Sequence, residues 1–293
     1  MEIRVLQYFL AIAREQSIIR AAESLHLSQP TLSTQIKNLE EELGKQLLIR
    51  GTKGSRKVTL TEEGMILRKR AEEIIDLVKK TENEIVLSDS IILGDIYIGA
   101  GESEGIRLLA QTAKRLNHDY PGIHYHISSG NHAYVTENIE KGLLDFGLIF
   151  QKPDVKKYDF IKLPYHDVWG VLMKQDDPLA KKDVILPEDL WDKPLLISQE
   201  ETDGTPLLQW MHKKLASLNI IATYNLLFNA SIYVEEGLGY AICFDKIINT
   251  SEYNGLIFRP LSPGLETEMY LIWKKYQICS KPAEKFLAAL KQI

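Results

Sequence analysis

From Gln29 to Lys37, the side chains of Gln29, Thr31, Ser33, Thr34 and Lys37 fall opposite Leu32, Ile36, Leu39 and Leu43 at helical spacing. Short hydroxyl and amide groups with a single cation suit hydrogen bonding to base edges and phosphates. An ordinary solvated helix face carries more Glu and Lys. Ser28 can cap this helix, and Pro30 is tolerated in the first turn, where backbone N–H groups have no intrahelical partner. Gly44 stops it. Downstream, Lys45, Arg50, Lys53, Arg56 and Lys57 supply five cations with no acid between Lys45 and Val58. Gly51 and Gly54 break the run into a turn, and Lys57 to Leu60 alternate as a short strand. A hairpin with a cationic tip can lie along phosphates or enter a minor groove. Candidate contacts to double-stranded DNA are therefore Ser28, Gln29, Pro30, Thr31, Ser33, Thr34 and Lys37 on the helix, with Arg50, Lys53 and Arg56 on the hairpin.

These groups need elements to hold them. Leu6, Phe9, Leu10 and Ala13 recur every three or four residues and predict a first helix. Ser17 can cap a second helix carrying Ala21, Ala22 and Leu25, whose two alanines permit close helix approach. Leu27 is expected as an apolar plug under the turn. After the hairpin, Thr61 can cap a long helix with Glu62 and Glu63 in its first turn. Leu67, Ala71, Ile74, Val78, Thr81 and Ile85 then alternate four and three residues apart, a seam expected of a two-helix coiled coil, widened by Ile66, Ile75 and Leu77. A packed surface helix would show the same spacing.

The chain has 293 residues, 45% hydrophobic and 26% charged, which suggests about two domains. Its net charge of −5 is unevenly spread. Residues 1–61 hold nine Lys/Arg against six Asp/Glu, a balance of +3 that leaves −8 for the remainder. A modestly basic N-terminal segment on an acidic body fits a nucleic-acid reader joined to something else. No apolar run is long enough to span a bilayer, and charges at Glu2, Arg4, Arg14 and Glu15 do not match a secretory leader, so a cytoplasmic location away from membranes is expected. Cys243 and Cys279 stand far apart, without the spacing of a zinc site or disulfide framework.

Beyond residue 90 the pattern is strand, loop, helix, repeated, the mark of a parallel α/β sheet. Strands are expected at 91–100, 123–129, 143–150, 169–173, 195–198, 224–228, 240–244 and 269–273, and helices at 106–116, 134–141, 207–218 and 282–292. Catalytic motifs such as a nucleophile elbow, a phosphate loop or His-Glu-x-x-His are missing from the sequence. Gly99, Gly101 and Gly105 have the wrong spacing for a dinucleotide fingerprint, and Glu102 and Glu104 would repel a pyrophosphate. His124 and His126 share a strand face and read as ordinary strand residues. Neither a metal nor a cofactor is expected.

Residues 1 to about 90 resemble the DNA-binding region of LysR-type transcriptional regulators. The resemblance rests on Phe9, Ser17, Ala21-Ala22, Leu25, Leu27-Ser28-Gln29-Pro30, Leu32-Ser33, Ile36, Leu39-Glu40, Leu43-Gly44, Leu47, Arg50, Leu60-Thr61 and Gly64. The chain departs from the family at Leu48, where Phe is usual, and at Ile18-Ile19, where an aromatic and a polar residue are usual. Both departures stay apolar at positions expected to be core. The second half resembles the family's effector module with less specific motifs.

This resemblance implies an N-terminal, all-α winged helix-turn-helix over 1–61 and a dimerising linker helix over 62–90. A C-terminal α/β effector module of two subdomains, similar in fold to periplasmic binding proteins, would follow. Subdomain I would be 91–161 plus 268–293, and subdomain II 162–267, with crossings near Ile161-Lys162 and Glu266 to Met269. It further implies a small-molecule effector in the cleft, a homodimer or homotetramer, and RNA polymerase as a further partner. Loops after strands give the candidate cleft residues: Gly101, Glu102, Ser103, Ser129 and Asn131 from one subdomain, and Ser198, Gln199, Glu200, Phe228, Asn229 and Ser231 from the other. Glu102, Glu104, Glu200, Glu201 and Asp203 crowd these loops with Arg107 as the only nearby cation, so a neutral or cationic effector is expected. Two other readings stay open on the residues alone: a small-molecule-binding protein whose N-terminal helices serve only assembly, and a cleft enzyme using Cys243.

Overall fold

The structure is a computed structural model that describes residues 1–50, 57–86, 92–250 and 255–291, with the side chains of 50 and 83–86 left out. It divides into two compact units, Met1–Val86 and Leu87–Ile293.

The first unit packs three short helices, α1 (Ile3–Glu15), α2 (Ile18–Ser24) and α3 (Gln29–Leu43), around Phe9, Ile12, Ala21, Leu32 and Ile36. Ser17 and Ser28 accept from the backbone N–H groups of Arg20 and Thr31, so both expected caps are present. The turn between α2 and α3 puts His26 in the left-handed region (φ 54°), which lets the Leu27 N–H return to the Ala22 carbonyl at 2.9 Å. Gly44 ends α3 at φ 64°. Strands β1 (Leu48–Arg50) and β2 (Val58–Leu60) pair antiparallel. Leu48 is fully buried in the core, so Leu serves where the family uses Phe. Two apolar expectations fail. Leu43 is 41% exposed, because the stripe of α3 drifts off the core by its last turn, and Ile19 is 41% exposed on the outside of α2.

Helix α4 (Glu62–Val86) starts at Thr61, whose hydroxyl accepts from the Gly64 N–H and donates to the Gln46 carbonyl. Gly64 is needed there, since a Cβ would sit 2.2 Å from the Leu47 carbonyl oxygen. The expected seam is partly used inside the unit. Ala71 is fully buried with Ile75 against Leu6 of α1, and Leu67 and Ile74 pack on the same cluster. Met65, Ile66 and Leu77 remain exposed, and Ile66 and Leu77 lie three turns apart on one face. The Ile85 side chain lies outside the described residues.

The second unit is a sheet of nine strands: β3 (Gly94–Ala100), β4 (Ile123–Ser129), β5 (Phe146–Ile149), β6 (Tyr158–Lys174), β7 (Leu195–Ser198), β8 (Ile220–Tyr224), β9 (Tyr240–Phe244), β10 (Leu256–Pro260) and β11 (Glu266–Lys274). Their order is β4-β3-β5-β11-β6-β9-β7-β8, with β10 on β6. Strands β3, β4 and β5 run parallel, as do β7, β8 and β9. The antiparallel β6 and β11 join the two halves. Strand β6 pairs with β11 up to Val168, with β9 from Trp169 and with β10 from Gly170, downstream of the crossing expected near Ile161-Lys162. Helices α5 (Ile106–Asp119), α6 (His132–Glu140) and α9 (Lys281–Leu290) cover the first half, and α7 (Pro206–Met211) and α8 (Leu227–Glu235) the second.

Three expectations about elements are corrected. The strand expected at 224–228 lies at Ile220–Tyr224, because Leu227 and Phe228 already belong to α8. The helix expected over 207–218 stops at Met211, where His212 turns left-handed. Strand β10 went unrecognised, and 169–173 is only the end of a 17-residue strand.

Candidate nucleic-acid interface and ligand cleft

On α3, Leu32 and Ile36 are fully buried, while Gln29, Pro30, Thr31, Thr34 and Lys37 are exposed and Ser33 is half-buried. The polar face is ordered by its own hydrogen bonds. Gln29 Nε2 donates to Ser33 Oγ at 2.7 Å, Ser28 and Thr31 share their hydroxyls at 2.7 Å, and Thr34 Oγ1 donates to the Pro30 carbonyl at 2.9 Å. Each amide or hydroxyl keeps further hydrogen-bonding capacity for a partner. Lys37 pairs loosely with Glu41 at 3.3 Å, an exposed contact worth little against a phosphate. One supporting residue was not assigned a role from sequence. Glu40 accepts from the backbone N–H groups of Leu47 (2.8 Å) and Leu48 (3.1 Å), fixing the start of β1 to the end of α3. The Arg50 side chain, Lys53 and Arg56 lie outside the described residues; Lys57, at the foot of the hairpin, is exposed.

In the second unit, the C-terminal ends of both parallel strand sets face one cavity of about 400 Å³. This is where ligands bind in open α/β sheets. Five of the eleven expected residues line it: Gly101, Glu102, Asn131, Ser198 and Glu200. Six do not. Ser103 is buried below, donating to both carboxylate oxygens of Asp167 (2.8 and 2.7 Å). Ser129 and Gln199 are exposed at their strand ends and point elsewhere. Phe228 and Asn229 lie on the outer face of α8, with Phe228 64% exposed. Ser231 is buried within α8, donating to the Phe228 carbonyl.

Four aromatic rings stand in the cavity wall. Phe244 meets Trp169 edge-on at 4.6 Å and Phe150 at 5.2 Å, and Tyr224 adds a fourth ring. Gly101 makes room for this wall, since a Cβ there would lie 2.4 Å from the Phe150 ring. Phe150, Gln151 and Lys152 escaped the sequence reading, although the loop-after-strand rule applied to β5 points to all three. Lys152 lines the cavity mouth, so Arg107 is not the only cation near these loops. Arg107 pairs instead with Glu104, and neither lines the cavity. Asp203 is likewise occupied elsewhere, accepting from the Leu215 N–H at 2.8 Å.

Two carboxyls are raised by burial. Asp167, at the crossing of β6 and β11, is pushed up to about 6 by burial, against the opposing effect of Ser103. Glu201 is raised by burial while Thr205 donates to it, and neighbouring Glu200 adds repulsion. Burial also pushes the Cys243 thiol up, so the thiolate form is disfavoured there. Cys243 and Cys279 sit in separate hydrophobic clusters, one in each half of the sheet. His126 stacks on Tyr97 at 4.5 Å and hydrogen-bonds Asp95 at 2.9 Å.

Residues 3–65 match the model of bacterial regulatory helix-turn-helix proteins of the lysR family, and residues 93–293 match that of the LysR substrate binding domain. The chain belongs to the LysR family. A hydrogen peroxide-inducible genes activator of Pectobacterium carotovorum subsp. carotovorum is 31% identical over 201 residues, covering 68% of this chain and 65% of that one, so the match spans less than two thirds of that relative. The LysR-family chain is also similar to the Hca operon transcriptional activator HcaR of Escherichia coli (strain K12), at 27% identity over 298 residues, covering 100% of this chain and 97% of HcaR. The crystal structure of full-length CbnR complexed with its target DNA shares the fold, with a TM-score of 0.76, 18% identity, and coverage of 100% and 99%. Among the described residues of this LysR-family chain, no helix is long and apolar enough to cross a membrane.

Proposed function

We propose that this LysR-family chain is a DNA-binding transcriptional regulator, not an enzyme, whose promoter binding responds to a small-molecule effector. The observation that carries the reading is the α3 surface: short polar side chains exposed on one face, over a fully buried Leu32 and Ile36. Gln29, Thr31, Ser33 and Thr34 would discriminate bases, Lys37 and the hairpin cations Arg50, Lys53 and Arg56 would hold the phosphates, and Ser28 and Pro30 would pack against the duplex at the start of α3. Residues 1–61 act as the winged helix-turn-helix and 62–90 as the linker. The exposed Ile66 and Leu77 on α4 support self-association, because two recognition helices at a fixed spacing read a pseudo-palindromic site. The working unit is a cytoplasmic homodimer or homotetramer that acts on RNA polymerase.

In the effector module, subdomains I and II are the two halves of the sheet, joined through β6 and β11. Gly101, Glu102, Asn131, Ser198 and Glu200 contact the effector. The Leu227 N–H, at the start of α8, donates to Glu102 across the cleft, so a ligand entering here acts on the contact between the halves. That is allostery if the effector binds one arrangement of the halves more tightly than the other. The test is a gel shift of the full chain on the DNA upstream of its own gene. A specific complex that survives excess unrelated duplex is expected. Equal retention of both duplexes at modest ionic strength would overturn the reading.

A further inference from the structure

The charged groups of the cleft are arranged against an anion. Helices α6 and α8 begin at the cavity, and at each N-terminus, the usual seat of a carboxylate or phosphate, one of the chain's own oxygens already accepts from a backbone N–H. Asn131 Oδ1 caps α6 by accepting from the Tyr134 N–H at 3.1 Å. Glu102 reaches over from the other half of the sheet to the Leu227 N–H of α8. Before α7, Thr205 makes no side-chain cap and gives its hydroxyl to Glu201 instead. Three carboxylates, Glu102, Glu200 and Glu201, therefore line the cavity, and among the described residues none forms an ion pair with a lysine or arginine. Lys152 is exposed at the mouth.

The remaining wall combines rings and aliphatic side chains with uncharged amides and hydroxyls such as Asn131, Gln151 and Asn225. Trp169, Phe244 and Phe150 are arranged edge to face, and Tyr224 lines the same cavity. The Tyr224 hydroxyl is already used, donating to the Ile242 carbonyl at 2.6 Å, so the tyrosine offers the cavity its ring. Ring faces attract cations, the more so when both are shielded from water. His132 also lines the cavity.

Resting on the reading of this cleft as the effector site, we propose that its ligand is an organic cation: a small molecule bearing an ammonium group on an apolar body. The ammonium lies against Glu200 and Glu201, and the body against Trp169, Phe244 and Phe150. Such a ligand supplies the counter-charge these half-buried carboxylates lack, and it lifts the repulsion between Glu200 and Glu201. A cavity of about 400 Å³ accepts a single-ring molecule with a short polar arm. A carboxylate ligand would find the first turns of α6 and α8 already engaged and the carboxyls of Glu102, Glu200 and Glu201 facing it, against the single cation Lys152 among the described lining residues.

The test is calorimetry of the full chain with three probes of one shape: benzylammonium, benzyl alcohol and benzoate. Benzylammonium should bind most tightly and benzoate most weakly. Glu200→Gln with Glu201→Gln should weaken benzylammonium by about tenfold or more and leave benzyl alcohol unchanged. Glu200→Gln alone serves if the double variant melts early. Benzoate binding as tightly as benzylammonium, an ammonium affinity indifferent to both substitutions, or no benzylammonium binding at millimolar concentration would each overturn the proposal. A gel shift without ligand on the same preparations keeps the two readings apart. Intact DNA binding beside a failed titration rejects the ligand class alone, and lost DNA binding in the unmodified chain rejects the regulator.

Discussion

The α3 surface and the effector cleft are built in opposite ways. The α3 surface is one helix, and its seven candidate residues span Ser28 to Lys37, so the 3.6-residue period sorts them into buried and exposed faces from sequence alone. The cleft draws its walls from segments more than 160 residues apart, between Gly101 and Thr267. There, the direction of each side chain depends on where a strand ends and on which residue opens the next helix. A local surface can be read from spacing; a composite one needs the register.

The sharpest way to break this contrast is to test the two ends of the α3 stripe. Ile36→Ala should cost about 2–5 kcal/mol, because Ile36 is fully buried and its loss leaves a cavity. Leu43→Ala, at 41% exposure on the same stripe, should stay within about 0.5 kcal/mol. Chemical denaturation of the first unit, followed by circular dichroism, separates them. Equal costs would mean that helical period alone decides burial.

On the cleft side the largest effect belongs to Asp167. Its carboxyl is raised in the fold to about 6 from an ordinary 3.8, so the folded state holds the proton more tightly than the unfolded chain. Stability from this group is therefore full below the ordinary value and lost as pH rises through about 6, for a total of about 3 kcal/mol. Asp167→Asn cannot ionise, so its melting temperature relative to the parent chain should climb between pH 4 and 7. A difference that is flat across that range would contradict the burial argument.

Smaller still is the effect expected at Ser28. Ser28→Ala removes the cap of α3 and should cost about 1 kcal/mol, read by the same denaturation. The least change is expected at Phe228. A wall residue would weaken ligand binding when truncated, whereas Phe228→Ala, 64% exposed on α8, should shift stability by no more than about 0.5 kcal/mol and leave the benzylammonium titration unchanged.

Particular residues show why sequence served one region better. Ser17, Ser28, Gly44 and Thr61 announce helix ends by chemistry that acts within four residues, and each does so in the structure. Ser198 ends, and Gly101, Glu102, Asn131 and Glu200 follow, strands whose ends were placed correctly, and all five line the cavity. Phe228 and Asn229 failed because the strand before them was set four residues late, which turned an outer helix face into an expected wall. Trp169, Phe244 and Thr267 carry no local mark of a ligand site. Their alternation reads only as core, and the pairing of β6 with β9 and β11 is what brings them together.

The central claim is that the exposed side of α3 reads base pairs. It is tested most directly by selecting preferred duplexes from a random pool with the parent chain and with Gln29→Ala, at one fixed salt concentration. The account predicts that the variant loses about 1–3 kcal/mol of discrimination at one base pair per half-site and keeps its preferences elsewhere. Identical preferences for the two proteins, at every position, would contradict it.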